Sequence, residues 1–228
     1  MIIGNGLISS AFKIDYENND KILIFASGVS NSLETSSFEF DREKKILQFA
    51  LHENKNKIII YFTSFLKESN EKRKYIQHKN EMESIIKSSG NHYCILKIPQ
   101  VIGNGGNPKN LFNFIINKIL SEEVLKIYKN SYRSLIDVDD IKLIVDILLK
   151  EWKENIYIEF PGFELISVTD IVLLIGEKLK LIPNIEYIES DNYFLPKKSQ
   201  LSNDIINSLN IISKGYTRKI INKYINNE

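Results

Sequence analysis

The feature that most constrains the fold is a series of short, almost unbroken apolar runs set between segments of helical spacing. Lys57–Phe62 reads KIIIYF, Lys21–Ala26 reads KILIFA, and Tyr93–Ile98 reads YCILKI before stopping at Pro99. A strand that is apolar at consecutive positions needs cover on both faces of its sheet. Phe40–His52 puts Phe40, Ile46, Leu47 and Ala50 on one side of a helix, and Tyr75–Lys87 is helical as well. Alternation of this kind predicts an α/β domain with a parallel sheet and right-handed crossovers.

After Gly103 the pattern changes. Gly103-Asn104-Gly105-Gly106-Asn107-Pro108 is a loop by composition. Helices are expected at Leu111–Leu120 and Ile141–Trp152, with short strands at Leu125–Tyr128, Leu135–Ile136 and Asn155–Phe160. Ser167 can cap a helix that runs to Leu179, with Asp170 at its third position. The tail, Asp204–Tyr224, is mostly helical and amphipathic. The expected organisation is a Rossmann-like domain over residues 1–103, with 134–152 packing back on it. A smaller mixed α/β lobe over 104–228 would bind substrate. Only one helix and one loop fit between Gly6 and Lys21, so the sheet is expected to be trimmed of a strand–helix–strand segment.

Charge and cysteine narrow the function. In 228 residues, 30 Lys+Arg against 29 Asp+Glu leave a net charge of +1, so no strong field favours nucleic acid or an anionic membrane. Cys94 stands alone, which excludes an internal disulfide and a cysteine metal site. His52, His78 and His92 have no metal-ligand spacing. No apolar run approaches a bilayer span, and Met1–Gly6 lacks the character of a signal peptide. The expected compartment is the cytoplasm.

Two motifs carry chemistry. Gly4-Asn5-Gly6-Leu7-Ile8-Ser9 is G-x-G-x-x-S between an apolar run and a helix. The first glycine permits a tight turn, the second lets the backbone approach a pyrophosphate, and the helix start offers free N–H groups. The strand that follows ends Ala26-Ser27-Gly28, with no acidic residue for an adenosine ribose. The cofactor could therefore be NAD or NADP. The second motif is Y-x-x-x-K. On a helix these residues share a face, and the ammonium can stabilise a phenolate. With 11 Tyr and 26 Lys, chance gives about 1.3 matches. There are three. Tyr93…Lys97 lies on a strand and Tyr193…Lys197 contains Pro196. Tyr75…Lys79 remains, following a strand that delivers Thr63-Ser64. The rival reading makes Tyr75 a solvated position in the charged run Glu71–Lys74.

The stretches IIGNGLISSAF, IIIYFTS with YIQHK, LKIPQVIGNGGNP and YRSLIDVDDI resemble the extended short-chain dehydrogenase/reductases, in the sugar-nucleotide epimerase, dehydratase and reductase branch. The resemblance runs from Met1 to about Gly176. It implies that Ser64 is the catalytic hydroxyl, with Thr63 as the alternative. Tyr75 would be the general acid/base, and Lys79 would hold the nicotinamide ribose. The cofactor would lie along Gly4, Asn5, Gly6, Leu7 and Ile8, then pass Ala26, Ser27, Gly28 and Thr63. Its nicotinamide would meet Tyr75, Lys79, Pro99, Gln100 and Val101. Gln100, Asn110 and Arg133 would touch a nucleotide-sugar substrate, Arg133 through its pyrophosphate. The competing role for Arg133 is a surface salt bridge with Asp137 or Asp139.

The departures matter. Ser64 is followed by Phe65-Leu66-Lys67, not an Asp-Glu pair, so elimination of water is not expected. The loop between Ser64 and Tyr75 is short. The resemblance thus implies an NAD(P)-dependent keto-sugar reductase, commonly at C4, in surface polysaccharide synthesis. A 4-epimerase is the alternative, and a non-catalytic dinucleotide-binding module is the rival of another class. A homodimer through the Phe40–His52 and Tyr75–Lys87 helices is expected from the same resemblance. Cys94 is expected to be a core thiol, His78 a surface residue, and Trp152 a packing residue. Asp137, Asp139 and Asp140 fit a capped helix start better than a metal loop.

Overall fold

Five parallel strands carry the chain's main core. The computed structural model describes residues 1–64, 73–150, 152–189 and 200–225. The sheet is ordered β1 (Ile2–Ile3), β2 (Ile22–Phe25), β3 (Ile58–Ser64), β4 (Tyr93–Ile98) and β9 (Ile156–Glu159), all neighbours parallel. Consecutive side chains of β1 to β4 alternate between two cores. Leu23, Phe25, Ile59, Tyr61 and Ile95 pack under α2 (Ser37–Glu53) and α3 (Lys74–Ser88). Ile24, Ile60, Phe62, Cys94 and Leu96 join the opposite core with α1 (Leu7–Tyr16) and α5 (Val138–Lys150). This double cover is why the strands read as unbroken apolar runs. The fold is α/β, a Rossmann-like sheet with its start trimmed: β1 is the edge strand, bonded to β2 and to no other described strand.

The second half adds β5 (Gln100–Ile102), α4 (Leu111–Leu120), β6 (Leu125–Tyr128), β7 (Tyr132–Arg133), β8 (Leu135–Asp137), β10 (Ile166–Ser167), α6 (Val168–Leu179), β11 (Ile185–Ile188), α7 (Gln200–Ser208) and α8 (Tyr216–Tyr224). These strands form three two-stranded pairs, β5 with β8, β6 with β11 and β7 with β10. The strand at 156–159 returns to the main sheet beside β4. Ser167 caps α6, its Oγ accepting the Asp170 N–H at 2.9 Å. Asp137 starts α5 by accepting the Asp139 N–H, and its carboxylate is clamped by Lys223 (2.6 Å) and Tyr224 (2.5 Å) of α8. No group of three metal-ligating side chains occurs among the described residues. None of the described helices is long and apolar enough to cross a membrane. Cys94 is buried, its thiol pushed up to about 12 by burial, and Trp152 packs against the core.

Candidate active site

Parallel strands put their carboxyl ends on one edge, and a cleft of about 630 Å³ opens there. Register fixes its walls. Ile3 lies beside Phe25, Phe25 beside Tyr61, and Ser64 beside Ile98. The chain therefore leaves the sheet at Gly4, Ala26, Ser64 and Pro99 along one line.

At one end of the cleft is the first turn. Gly4 has φ +132, and a Cβ there would sit 2.4 Å from the Ala26 carbonyl oxygen, so only glycine fits. Gly6 is the N-cap of α1; no side chain caps this helix and its first turn holds no acid. Ser9 and Ser10 turn their hydroxyls to the Gly6 carbonyl (2.7 and 3.0 Å) and leave the helix start open. Such an end fits a pyrophosphate. The loops beside it meet where Asn107 Nδ2 donates to Ser30 Oγ (2.9 Å). Asn110 caps α4, its Oδ1 accepting the Asn113 N–H at 2.9 Å, while the residue still lines the cleft.

At the other end Ser64, Tyr75 and Lys79 come together. Tyr75 is 5% exposed, which removes the solvated-helix reading. Ser64 and the Tyr75 phenol line the same stretch of the cleft. Lys79 Nζ lies 5.6 Å from the Tyr75 ring centroid. Burial, then the charge of Glu43, hold the Tyr75 phenol above its ordinary value, with the nearby Ser64 hydroxyl acting against them. The resting site therefore holds a proton to give.

Asn5, Gly6, Leu7, Ile8, Ala26, Ser27 and Gly28 line this one cleft, together with Thr63, Ser64, Tyr75, Lys79, Pro99, Gln100, Val101 and Asn110. Gly4 is the hinge behind it. Arg133 stands outside the cleft lining. It is exposed, and its guanidinium donates to the Tyr132 carbonyl (2.7 Å). Its competing salt bridge is not formed, because Asp137 and Asp139 are both taken by Lys223. Tyr193…Lys197 and Phe65-Leu66-Lys67 lie outside the described residues.

One expectation is corrected. His78 is not a surface residue: it is 4% exposed, stacks on Phe40 at 4.7 Å, and its Nε2 bonds Glu43 Oε2 at 2.9 Å. Positions 75, 78, 79, 82 and 86 recur at helical i+3 and i+4 spacing, so His78 shares the face of Tyr75 and Lys79. α2 covers that face.

The residue that sequence reasoning missed is Glu43, fully buried at the centre of the site. Its carboxylate accepts bonds from the Val29 N–H (2.7 Å), the Tyr61 hydroxyl (3.2 Å), His78 (2.9 Å) and Lys79 Nζ (2.9 and 3.2 Å). Burial alone would raise its carboxyl. The His78 bond and the Lys79 charge outweigh burial and hold it at about 2. A signal was present: Glu43 shares a helix stripe with Leu47, Ala50 and Leu51, all buried. Arg42, also missed, lines the cleft and pairs with Glu39 (3.0 Å).

Comparison with known proteins adds the fold. No family model matches the chain, and no curated protein sequence does either. Solved structures do. UDP-glucose 4-epimerase of Thermus thermophilus, solved with NAD, is 14% identical with a TM-score of 0.68, covering 94% of this chain and 78% of that one. The chain has the fold of that enzyme. UDP-glucuronic acid 4-epimerase of Bacillus cereus, solved with UDP-glucuronic acid and NAD, is 16% identical with a TM-score of 0.68, over 96% of this chain and 79% of its own. dTDP-glucose 4,6-dehydratase of Bacillus anthracis, solved with NAD, is 12% identical with a TM-score of 0.64, over 96% and 76%. The fold of these enzymes is thus shared.

Proposed function

We propose that this protein is an NAD(P)-dependent oxidoreductase of nucleotide-activated sugars, reducing a keto group, commonly at C4. The observation that carries this reading is a half-buried hydroxyl (Ser64) with a buried phenol and ammonium (Tyr75, Lys79), in the same cleft as an uncapped helix start. A nicotinamide, when bound, supplies the hydride. The chain's own groups handle the proton. Tyr75 gives its phenolic proton to the carbonyl oxygen as the ketone becomes an alcohol, and Ser64 orients that oxygen. Lys79 then stabilises the phenolate until solvent reprotonates it. A phenol held protonated by burial favours this direction.

Gly4 shapes the turn that admits the pyrophosphate, with Asn5, Gly6, Leu7 and Ile8 along it. Pro99, Gln100 and Val101 would wall the nicotinamide. Gln100 and Asn110 would meet the sugar. Arg133 precedes β8, which pairs with β5 at Gln100, so it would reach the substrate diphosphate from the outer lip. In this reading residues 104–228 supply most of the sugar-nucleotide side. NAD is preferred because similarly folded enzymes were solved with it. NADP is the alternative, since no described strand lies beyond β1 to carry an acid that would reject a 2′-phosphate. A role in surface polysaccharide synthesis in the cytoplasm belongs to the same proposal. Phe38 and Phe49 are exposed on α2 (72% and 69%), which supports a homodimer through α2 and α3.

A 4-epimerase is the second reading, favoured by the 4-epimerases that share the fold. Both readings need the same three side chains. Incubation with NAD(P)H and a 4-keto nucleotide sugar separates them. One NAD(P)H consumed per alcohol formed supports the reductase. Interconversion of 4-epimers without net consumption supports the epimerase. Neither activity in a folded protein leaves the non-catalytic module.

A further inference from the structure

A buried polar cluster lies behind the proposed catalytic groups. Glu43 of α2 bonds to three other elements at once: the loop after β2 through Val29, strand β3 through Tyr61, and α3 through His78 and Lys79. Lys79 Nζ is 2.9 and 3.2 Å from the two Glu43 oxygens and 3.4 Å from the Tyr61 hydroxyl. Three oxygens thus lie within hydrogen-bonding reach of the ammonium without any ligand. Gly28 closes over the pair: a Cβ there would lie 2.9 Å from Lys79 Nζ and 3.2 Å from Glu43 Oε1.

A buried ammonium loses its proton unless a counter-charge holds it. Several ionisable groups face Lys79. Tyr61 comes from β3. Tyr75, His78 and Glu83 lie on its own helix, and Glu43 comes from α2. Glu83 is the one other acid, and it faces Lys87 (3.8 Å). Glu43 alone of the two touches the ammonium.

We propose that Glu43 is a positioning residue of this site: its buried carboxylate is the counter-charge that keeps Lys79 an ammonium and fixes it beside Tyr75. This rests on the catalytic reading of Tyr75 and Lys79 and adds to it. The lysine is loaded and aimed before cofactor or substrate arrives. Burial pushes the Lys79 ammonium down, and Glu43 acts against that push.

The test reads the lysine directly, in the ligand-free protein, by ¹³Cε NMR titration with Lys79 assigned from Lys79→Met. In Glu43→Gln, Lys79 should lose its proton at least two pH units below the wild-type value, a roughly hundredfold weaker hold on the proton. The alkaline limb of turnover should move down with it. Glu43→Asp, which keeps the charge, should restore most of the shift. Lys79 titrating unchanged in a folded Glu43→Gln protein would overturn the proposal. Where Glu43→Gln alone does not fold, adding Lys79→Met decides. Recovery of the fold supports the counter-charge role, because the unpaired cation was the fault; continued failure assigns Glu43 a packing role and overturns it. The lysine titration and the folding readouts need neither NAD(P) nor a sugar, so they stand apart from the failure of the proposed activity.

Discussion

The two ends of the cleft are built on different terms. Around Tyr75 and Lys79 the side chains are buried, cross-bonded and drawn from α2, α3, β3 and the loop after β2. Beyond the Gly4–Gly6 turn the sheet stops, among the described residues, at β1, an edge strand of two residues. A full dinucleotide-binding sheet continues there and supplies an acid for the adenosine ribose. The difference teaches that reaction chemistry and recognition of the cofactor's far half are separable in this fold. In the proposed reading the chain carries the side chains for the first, and among the described residues the sheet that would serve the second ends at β1.

Four changes sharpen or break this contrast. The largest effect is expected from Tyr75→Phe, which deletes the proton donor and leaves the cleft's shape. Turnover should fall about 10²–10⁴-fold with cofactor binding kept, as steady-state rates and a fluorescence titration would show. Glu43→Gln comes next. Leaving Lys79 unpaired in the interior should cost about 3–5 kcal/mol of stability in urea melts at neutral pH.

The same carboxylate sets a pH dependence. Its pKa is lowered from 4.5 to about 2 on folding, so its stabilisation is complete above about pH 4.5 and fades as pH falls toward about 2. Melts of the wild type across that window should show a slope that Glu43→Gln lacks. Gly28→Ala is a gentler probe, because the obstacle it meets is the tip of Lys79 and not backbone. kcat/KM should drop about 10- to 100-fold while the melt is nearly unchanged.

The smallest effect tests the trimmed end. If β1 truly ends the binding surface, reduced nicotinamide mononucleotide should bind within about tenfold of NADH, a difference below about 1.4 kcal/mol. A thousandfold preference for NADH would show that the adenosine half is held by contacts this contrast overlooks.

What was legible in the sequence follows the same division. The strands could be read because both faces are covered, so KILIFA and KIIIYF carry no polar interruption. Tyr75…Lys79 stood out because its spacing matched a helix after a strand ending in Thr63-Ser64. The trimmed start could be read from the short distance between Gly6 and Lys21. Glu43 could not, because it sits in FDREKK, which reads as a solvated charge run until Leu47, Ala50 and Leu51 are placed beneath it. His78 was lost for a related reason: its burial comes from α2, a partner distant in sequence. The strands β7, β10 and β11 gave little signal. The first two have two residues each, and β11 has two consecutive exposed side chains between two half-covered ones, without the alternation of a half-buried strand.

Hydride and proton transfer at one carbonyl is the claim on which the rest depends, and isotope transfer reads it most directly. NADH deuterated at the nicotinamide C4, incubated with a 4-keto nucleotide sugar, should deliver deuterium to the sugar's C4 in the wild type and scarcely any in Tyr75→Phe. Undiminished transfer by Tyr75→Phe, or none by the folded wild type, would contradict it.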